Sequence, residues 1–127
     1  MSAVDTLSMF QAAKGPSRRL DDAVAEIVGW SRRFELVNDP DTGASKRVQK
    51  KVWLVPSGEE EKPVPEYSKN AQHAYEMLQS INKNVPCAVS VSSGIARAQI
   101  WGEEAQVAPN VAMAICMAAL NHVVRSS

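Results

Sequence analysis

Reactive and ring-bearing side chains are scarce in this sequence. Its 127 residues include two cysteines, two histidines and seven aromatic residues: three Trp, two Tyr and two Phe. Cys87 and Cys116 each sit in an apolar run, which suits small buried hydrophobes better than a disulfide framework. The two histidines, His73 and His122, are too far from each other and from the cysteines for zinc-ligand spacing. His73 falls on the wetter side of a helical pattern, and His122 near a helix end, where a cation meets the helix dipole favourably. Gly43, Gly58, Gly94 and Gly102 stand singly in turns, so no glycine-rich phosphate loop is present. No serine occupies a strand-to-helix nucleophile elbow. Glu59-Glu60-Glu61 and Glu103-Glu104 are runs rather than a facing carboxylate pair. The expectation is a protein without catalytic residues, metal or cofactor.

Net charge is also missing. Fourteen basic and fourteen acidic residues cancel, which excludes a general nucleic-acid coat steered by an overall positive field. Neutrality removes electrostatic repulsion between copies, so a homodimer is permitted though nothing in the sequence requires one. A membrane span is not expected either. The most apolar stretch, Val107–Val124, is broken by Pro109 and Asn110 and closes on Asn121 and His122. Residues 1–15 lack a basic start followed by an apolar block, and the expected location is the cytoplasm.

What is present is 45% hydrophobic residues in a helix, hairpin, helix, hairpin, helix order. Val4, Leu7 and Phe10 recur at helical spacing before Lys14-Gly15-Pro16-Ser17. Residues 1–15 are read as an N-terminal arm, with residues 16–127 as the domain. Ser17 caps the next expected helix, whose face is Leu20, Val24, Ile27 and Val28, and Gly29 ends it. Phe34–Val37 and Lys51–Val55 read as the strands of a long hairpin around the turn signal Asn38–Gly43. Val52 and Leu54 face one way and Trp53 and Val55 the other, which suggests a central strand, or one with a helix on one face and a partner on the other. Ser68 is the expected cap of a helix carrying Ala71, Ala74, Tyr75, Leu78 and Ile81. Cys87–Val91 and Ile95–Trp101 form a second hairpin about Ser92-Ser93-Gly94. Pro109 opens a final helix rich in small residues. The fold class that follows is α+β, an α-β-β-α-β-β-α sandwich with one four-stranded, mainly antiparallel sheet.

Four blocks carry a family resemblance. They are Leu20–Trp30, a helix running into a Gly-Trp pair; Trp53-Leu54-Val55-Pro56, a strand ending in proline; Val64-Pro65-Glu66-Tyr67-Ser68 with Ala71, Ala74 and Tyr75; and Ala108–Leu120. In their order and spacing they resemble the phage ABA sandwich domain family, small proteins encoded by bacteriophages and prophages. The chain departs from that pattern in Lys69, where the family has Thr, while Tyr75 stands where an aromatic is expected. Its first hairpin is also longer. The resemblance implies an α-β-α sandwich and a phage origin, and no activity.

Basic residues gather locally despite the neutral sum. Lys46, Arg47, Lys50 and Lys51 fall within six residues, and Arg32 and Arg33 precede the first strand. If the hairpin closes as read, all six collect at one end of the sheet and form a surface for phosphates or an acidic protein patch. A solvated arm balanced by Glu35, Asp39 and Asp41 is the simpler account of the same residues. Trp30, Trp53 and Trp101 suit core packing, with Trp53 and Trp101 on one sheet face. The alternative is that one of the three, Trp53 being the one chosen, joins Tyr67 in anchoring a partner or lining a cleft. Three functions fit these residues. The first is a non-catalytic phage accessory protein that binds and inhibits or modulates a host protein, plausibly a host-defence component, in the host cytoplasm. The second is an oligomeric sponge for an anionic signalling nucleotide, using Arg32, Arg33 and a Trp. The third is a phage structural or assembly protein.

Overall fold

In the computed structural model the chain is an α+β protein, described over residues 2–38, 47–56, 58 and 61–126. Four helices and two small antiparallel sheets are found among the described residues. The helices are α1 (Ala3–Ala12), α2 (Arg18–Ile27), α3 (Ala71–Ile81) and α4 (Val111–Arg125), and the strands are β1 (Ser31–Asn38), β2 (Arg47–Leu54), β3 (Cys87–Ser92), β4 (Ile95–Ile100) and β5 (Gln106–Ala108).

The centre of the molecule is α4. Every residue from Ala112 to Leu120 is buried, so the helix has no wet face over nine residues. A helix that is apolar all round is stable only when surrounded. Here α1 and α3 pack on it from one direction and β4 and β5 from another. Ala112, Ala114, Ala118 and Ala119 keep its girth small, which lets these neighbours approach closely. Asn110 caps it, accepting from the Met113 N–H at 2.7 Å, so the helix starts after Pro109 rather than on it.

The expected four-stranded sheet is replaced by two. Among the described strands, β1 and β2 form one two-stranded sheet and β3-β4-β5 the second, to which Gln106–Ala108 adds a strand the sequence pattern does not announce. The strand neighbour of β2 is thus β1 alone, not a strand on each side. A short return of the chain pairs Leu54 with Glu61 and gives the Trp53 carbonyl the Lys62 N–H at 3.2 Å. Trp53 and Trp101, read as sharing a sheet face, lie in or beside different sheets.

The N-terminal segment is not an arm outside the core. Ser2 and Asp5 form a reciprocal capping box. The helix they start buries Phe10 and Thr6 and packs on α4 and α2. Ser17 caps α2 as expected, taking the Leu20 N–H at 3.2 Å, and Gly29 ends it at φ +105°, close against Pro56. Ser68 does not cap α3. Asn70 does, accepting from the N–H groups of Gln72 and His73, and the Ser68 hydroxyl is used elsewhere. It donates to the buried Asp21 carboxylate at 2.6 Å.

Candidate protein-binding surface

The side chains of β4 alternate between two worlds. Ala96, Ala98 and Ile100 point to α4 and are buried, while Ile95, Arg97 and Gln99 point away and are exposed. Period-two alternation makes this a strand covered on one side only. Trp101 extends the ladder, donating its N–H to the Pro86 carbonyl at 3.2 Å, and its side chain is 85% exposed. β5 adds Val107, opposite Arg97 in register and also exposed. Ile95, Trp101 and Val107 thus stand on an outer sheet face with no described helix over it, interleaved with Arg97 and Gln99. Beside Trp101 is an open groove of roughly 740 Å³ lined by Pro86, Cys87, Ala88, Gln99 and Gly102. Isolated exposed apolar residues are ordinary, but several together, led by a nearly free indole, are the usual composition of a protein-contact patch.

A second concavity, about 620 Å³, lies between the end of α2 and α3, with Ile27, Trp30, Pro56, Tyr67, Met77 and Ile81 among its walls. Its polar members are already engaged. His73 Nδ1 accepts the Glu66 N–H at 3.0 Å, which places the ring proton on Nε2 in the neutral form. Tyr67 is 5% exposed; burial pushes its phenol above the usual value of 10.0, partly offset by a side-chain hydrogen bond with Trp30. No group of three or more His, Cys, Asp or Glu able to hold a metal ion occurs among the described residues. Nor, among the described residues, is any helix long and apolar enough to cross a membrane.

Among the described residues, backbone register does not bring the basic residues singled out in the sequence to one end of the hairpin. Backbone register sets Arg32 opposite Trp53 and Arg33 opposite Val52 at one end of the hairpin, and Arg47 opposite Asn38 at the other. With about 3.4 Å per strand residue these ends lie roughly 20 Å apart. In register Lys50 falls opposite Glu35 and Lys51 opposite Phe34. Lys46 and the turn residues Asp39–Gly43 lie outside the described residues. Arg32 is committed locally. Its guanidinium pairs with Glu26 at 2.7 Å and lies over the Trp53 ring, 5.6 Å from the centroid. Trp53 is half-buried against the core, and Tyr67 is inside it. Of the expected site residues, the structure brings together Arg32 and Trp53, as a cross-strand pair.

The outer-face residues were not among the expected site residues. One signal was available in the sequence: in β4 the small residues Ala96 and Ala98 share a parity, and the larger Ile95, Arg97, Gln99 and Trp101 share the other. Small residues on the covered side let a helix approach closely, and leave the larger side chains to solvent or to a partner.

Comparison of the chain with protein-family models, curated proteins and solved structures finds no match.

Proposed function

We propose that this is a non-catalytic binding protein whose partner is another protein, held on the outer face of the β3-β4-β5 sheet. The observation that carries the reading is Trp101, 85% exposed at the rim of a face that also presents Ile95 and Val107. Tryptophan is among the residues most enriched at interface positions that dominate binding energy, and Arg97 and Gln99, interleaved with the apolar residues, together with the neighbouring serines supply polar complement. The sequence resemblance to the phage ABA sandwich domain family supports a phage accessory protein acting in the host cytoplasm, with a host protein, plausibly a defence component, as the one inhibited or modulated. The nucleotide-sponge reading has less support, because the Arg32 charge is already paired with Glu26 and stacked on Trp53.

Affinity capture from infected host cells tests this reading directly. The wild-type chain is expected to retain a host protein, and Trp101→Ala to weaken that retention at least tenfold, the scale of a central anchor residue. Undiminished capture by Trp101→Ala would remove the sheet face as the binding surface. A parallel variant with Lys46, Arg47, Lys50 and Lys51 reversed to Glu separates the faces. Loss of capture in that variant alone would move the site to the basic hairpin.

A further inference from the structure

The free edge of β3 has none of the features that usually keep an edge strand single. Cys87-Ala88-Val89-Ser90-Val91-Ser92 has no lysine, other charged residue or proline, and Ala88 to Ser92 are all exposed. Natural sheets blunt such edges with charge, proline, bulges or a covering element, because an open row of N–H and C=O groups templates another strand. The side chains are unfinished as well. In register, Val89 lies opposite Ala98 and Val91 opposite Ala96, so both valines belong to the side of the sheet that faces the core. Ala96 and Ala98 are covered by α4, whereas Val89 is 43% and Val91 63% exposed, overhanging the helix.

The backbone specifies which groups are available. The Ser93-Gly94 turn has φ of 51° and 75°, the two-residue hairpin connection with positive φ at both positions. Such a turn is flanked by a hydrogen-bonded pair, here Ser92 and Ile95. Alternation then bonds Ser90 and Ala88 to β4, and the Trp101 N–H to Pro86 carbonyl bond continues the same phase. The N–H and C=O groups of Cys87, Val89 and Val91 therefore point to the open edge.

From this we infer that β3 pairs antiparallel with β3 of a second copy about a two-fold axis at Ser90, joining the two three-stranded sheets into one of six strands. This register sets the available groups of Val89 against those of Val91 in the second copy, and the reverse. The four valines meet on the inner side, and Ser90 faces Ser90 on the outer. The strand is complementary to itself: valine meets valine, serine meets serine, and no ionisable group is enclosed except the flanking Cys87 thiol. The chain is neutral, with fourteen charges of each sign, so copies do not repel as bodies. The nearest like charges facing across the axis, Arg97 on each copy, are separated by three strand spacings, roughly 14 Å and beyond the screening length at physiological salt. The interface is isologous and closes on itself, leaving the outer-face patch of each copy outside the strand pairing.

Light scattering on the purified chain across a dilution series is expected to give twice the 13.8 kDa chain mass. The double variant Val89→Lys/Val91→Lys is expected to halve the observed mass with unchanged far-ultraviolet circular dichroism. Ser90→Cys in a Cys87→Ser background keeps the backbone intact and tests the register even if the lysine variant does not fold. Opposed non-hydrogen-bonded residues lie about 4.5 Å apart at Cα, within disulfide range, so mild oxidation is expected to yield a covalent dimer. A wild-type chain that stays at 13.8 kDa at every concentration overturns the proposal, including the case in which a strand of another protein occupies the edge. So does a folded lysine variant that remains dimeric, or a Ser90→Cys chain that does not cross-link. None of these measurements requires the host partner, so their failure is separate from failure of the Trp101 reading.

Discussion

Asp21 and Ser68, 47 residues apart, are joined through a single carboxylate oxygen. Oδ1 of Asp21 accepts the Ser68 N–H at 2.7 Å and the Ser68 hydroxyl at 2.6 Å, and Oδ2 takes the Arg18 guanidinium at 2.8 Å. Arg18 reaches on to the Val64 carbonyl at 2.7 Å, the Asn110 amide donates to the Ser68 carbonyl, and the Ser17 N–H donates to the Ser68 hydroxyl oxygen at 3.1 Å. The start of α2, the cap of α4 and the Val64–Ser68 segment are thus fastened at one point, with Asp21 2% exposed and Ser68 fully buried. Such a network is stable only when all its members are satisfied.

Removing the acceptor leaves the buried Ser68 N–H without its partner, while the hydroxyl can turn to the Ser17 carbonyl 3.0 Å away. Asp21→Ala is expected to destabilise the protein by roughly 3 kcal/mol, and Asp21→Asn, which keeps one acceptor oxygen, by about half as much. Urea unfolding measures both. A loss below about 1 kcal/mol for Asp21→Ala would mean the network contributes little net stability.

Phe10 decides whether the first helix belongs to the fold. It is 1% exposed and among the largest fully buried side chains. Phe10→Ala is expected to cost about 3–5 kcal/mol, as truncation of a buried aromatic does elsewhere. An accessory arm would tolerate the change with no shift in the unfolding midpoint.

These two residues also show where the sequence was readable and where it was not. Helical spacing and cap chemistry are local, so α2, its Ser17 cap, the β3-β4 hairpin and the buried run of α4 were legible. Val4, Leu7 and Phe10 announced a helix, but their spacing says nothing about what covers it, and Gly15-Pro16 suggested detachment. Asp21 stands in the first turn of α2, where the helix dipole favours a carboxylate, and nothing local marks it as buried. That it is buried depends on Ser68, which the cap pattern had assigned to α3 two residues early. Strand patterns located both hairpins, but the expectation that they join into one four-stranded sheet failed, since sheet assembly is a long-range choice. The basic residues were counted correctly along the chain, but register, not proximity in sequence, sets which ends they occupy.

Trp101 is expected to matter to binding and not to folding. At 85% exposure it has little burial to lose, so Trp101→Ala is expected to change stability by less than about 0.5 kcal/mol. Thermal unfolding of the variant is the check. A larger loss would place the indole in the core of the protein's own fold.

His122 and Glu103 form a closer pair than their positions suggest. Gly102, at φ +80°, turns the chain after β4 so that Glu103 Oε2 lies 2.6 Å from His122 Nδ1 near the end of α4. Both side chains are mostly buried, and Glu103 Oε1 has no hydrogen-bond partner. His122→Ala would leave the whole carboxylate without its partner, at an expected cost of about 2 kcal/mol. Adding Glu103→Gln should recover part of that loss, because a neutral amide is cheaper to bury than a charge. A double variant no more stable than His122→Ala alone would argue against a charge-based penalty.

Alkali should weaken the fold through two buried acids. Cys116 is fully buried, and its thiol donates to the Tyr67 carbonyl at 3.2 Å. Burial pushes that thiol well above its ordinary 9.0, and the Tyr67 phenol above 10.0. Above pH 9 the unfolded chain releases the Cys116 proton while the folded chain retains it. The unfolded state then binds fewer protons, and stability falls as pH rises, by up to about 1.4 kcal/mol per pH unit for each such group. Below pH 9 the two states carry the same protons at these sites, and neither contributes a slope. Urea midpoints are therefore expected to fall from pH 9 upward and to steepen beyond 10 as Tyr67 joins, with a shallower decline in Cys116→Ala. Within the native range Cys116 should resist thiol reagents until the protein unfolds, since the thiolate is the reactive form. A midpoint independent of pH across 9 to 11 would show that neither proton is held by the fold.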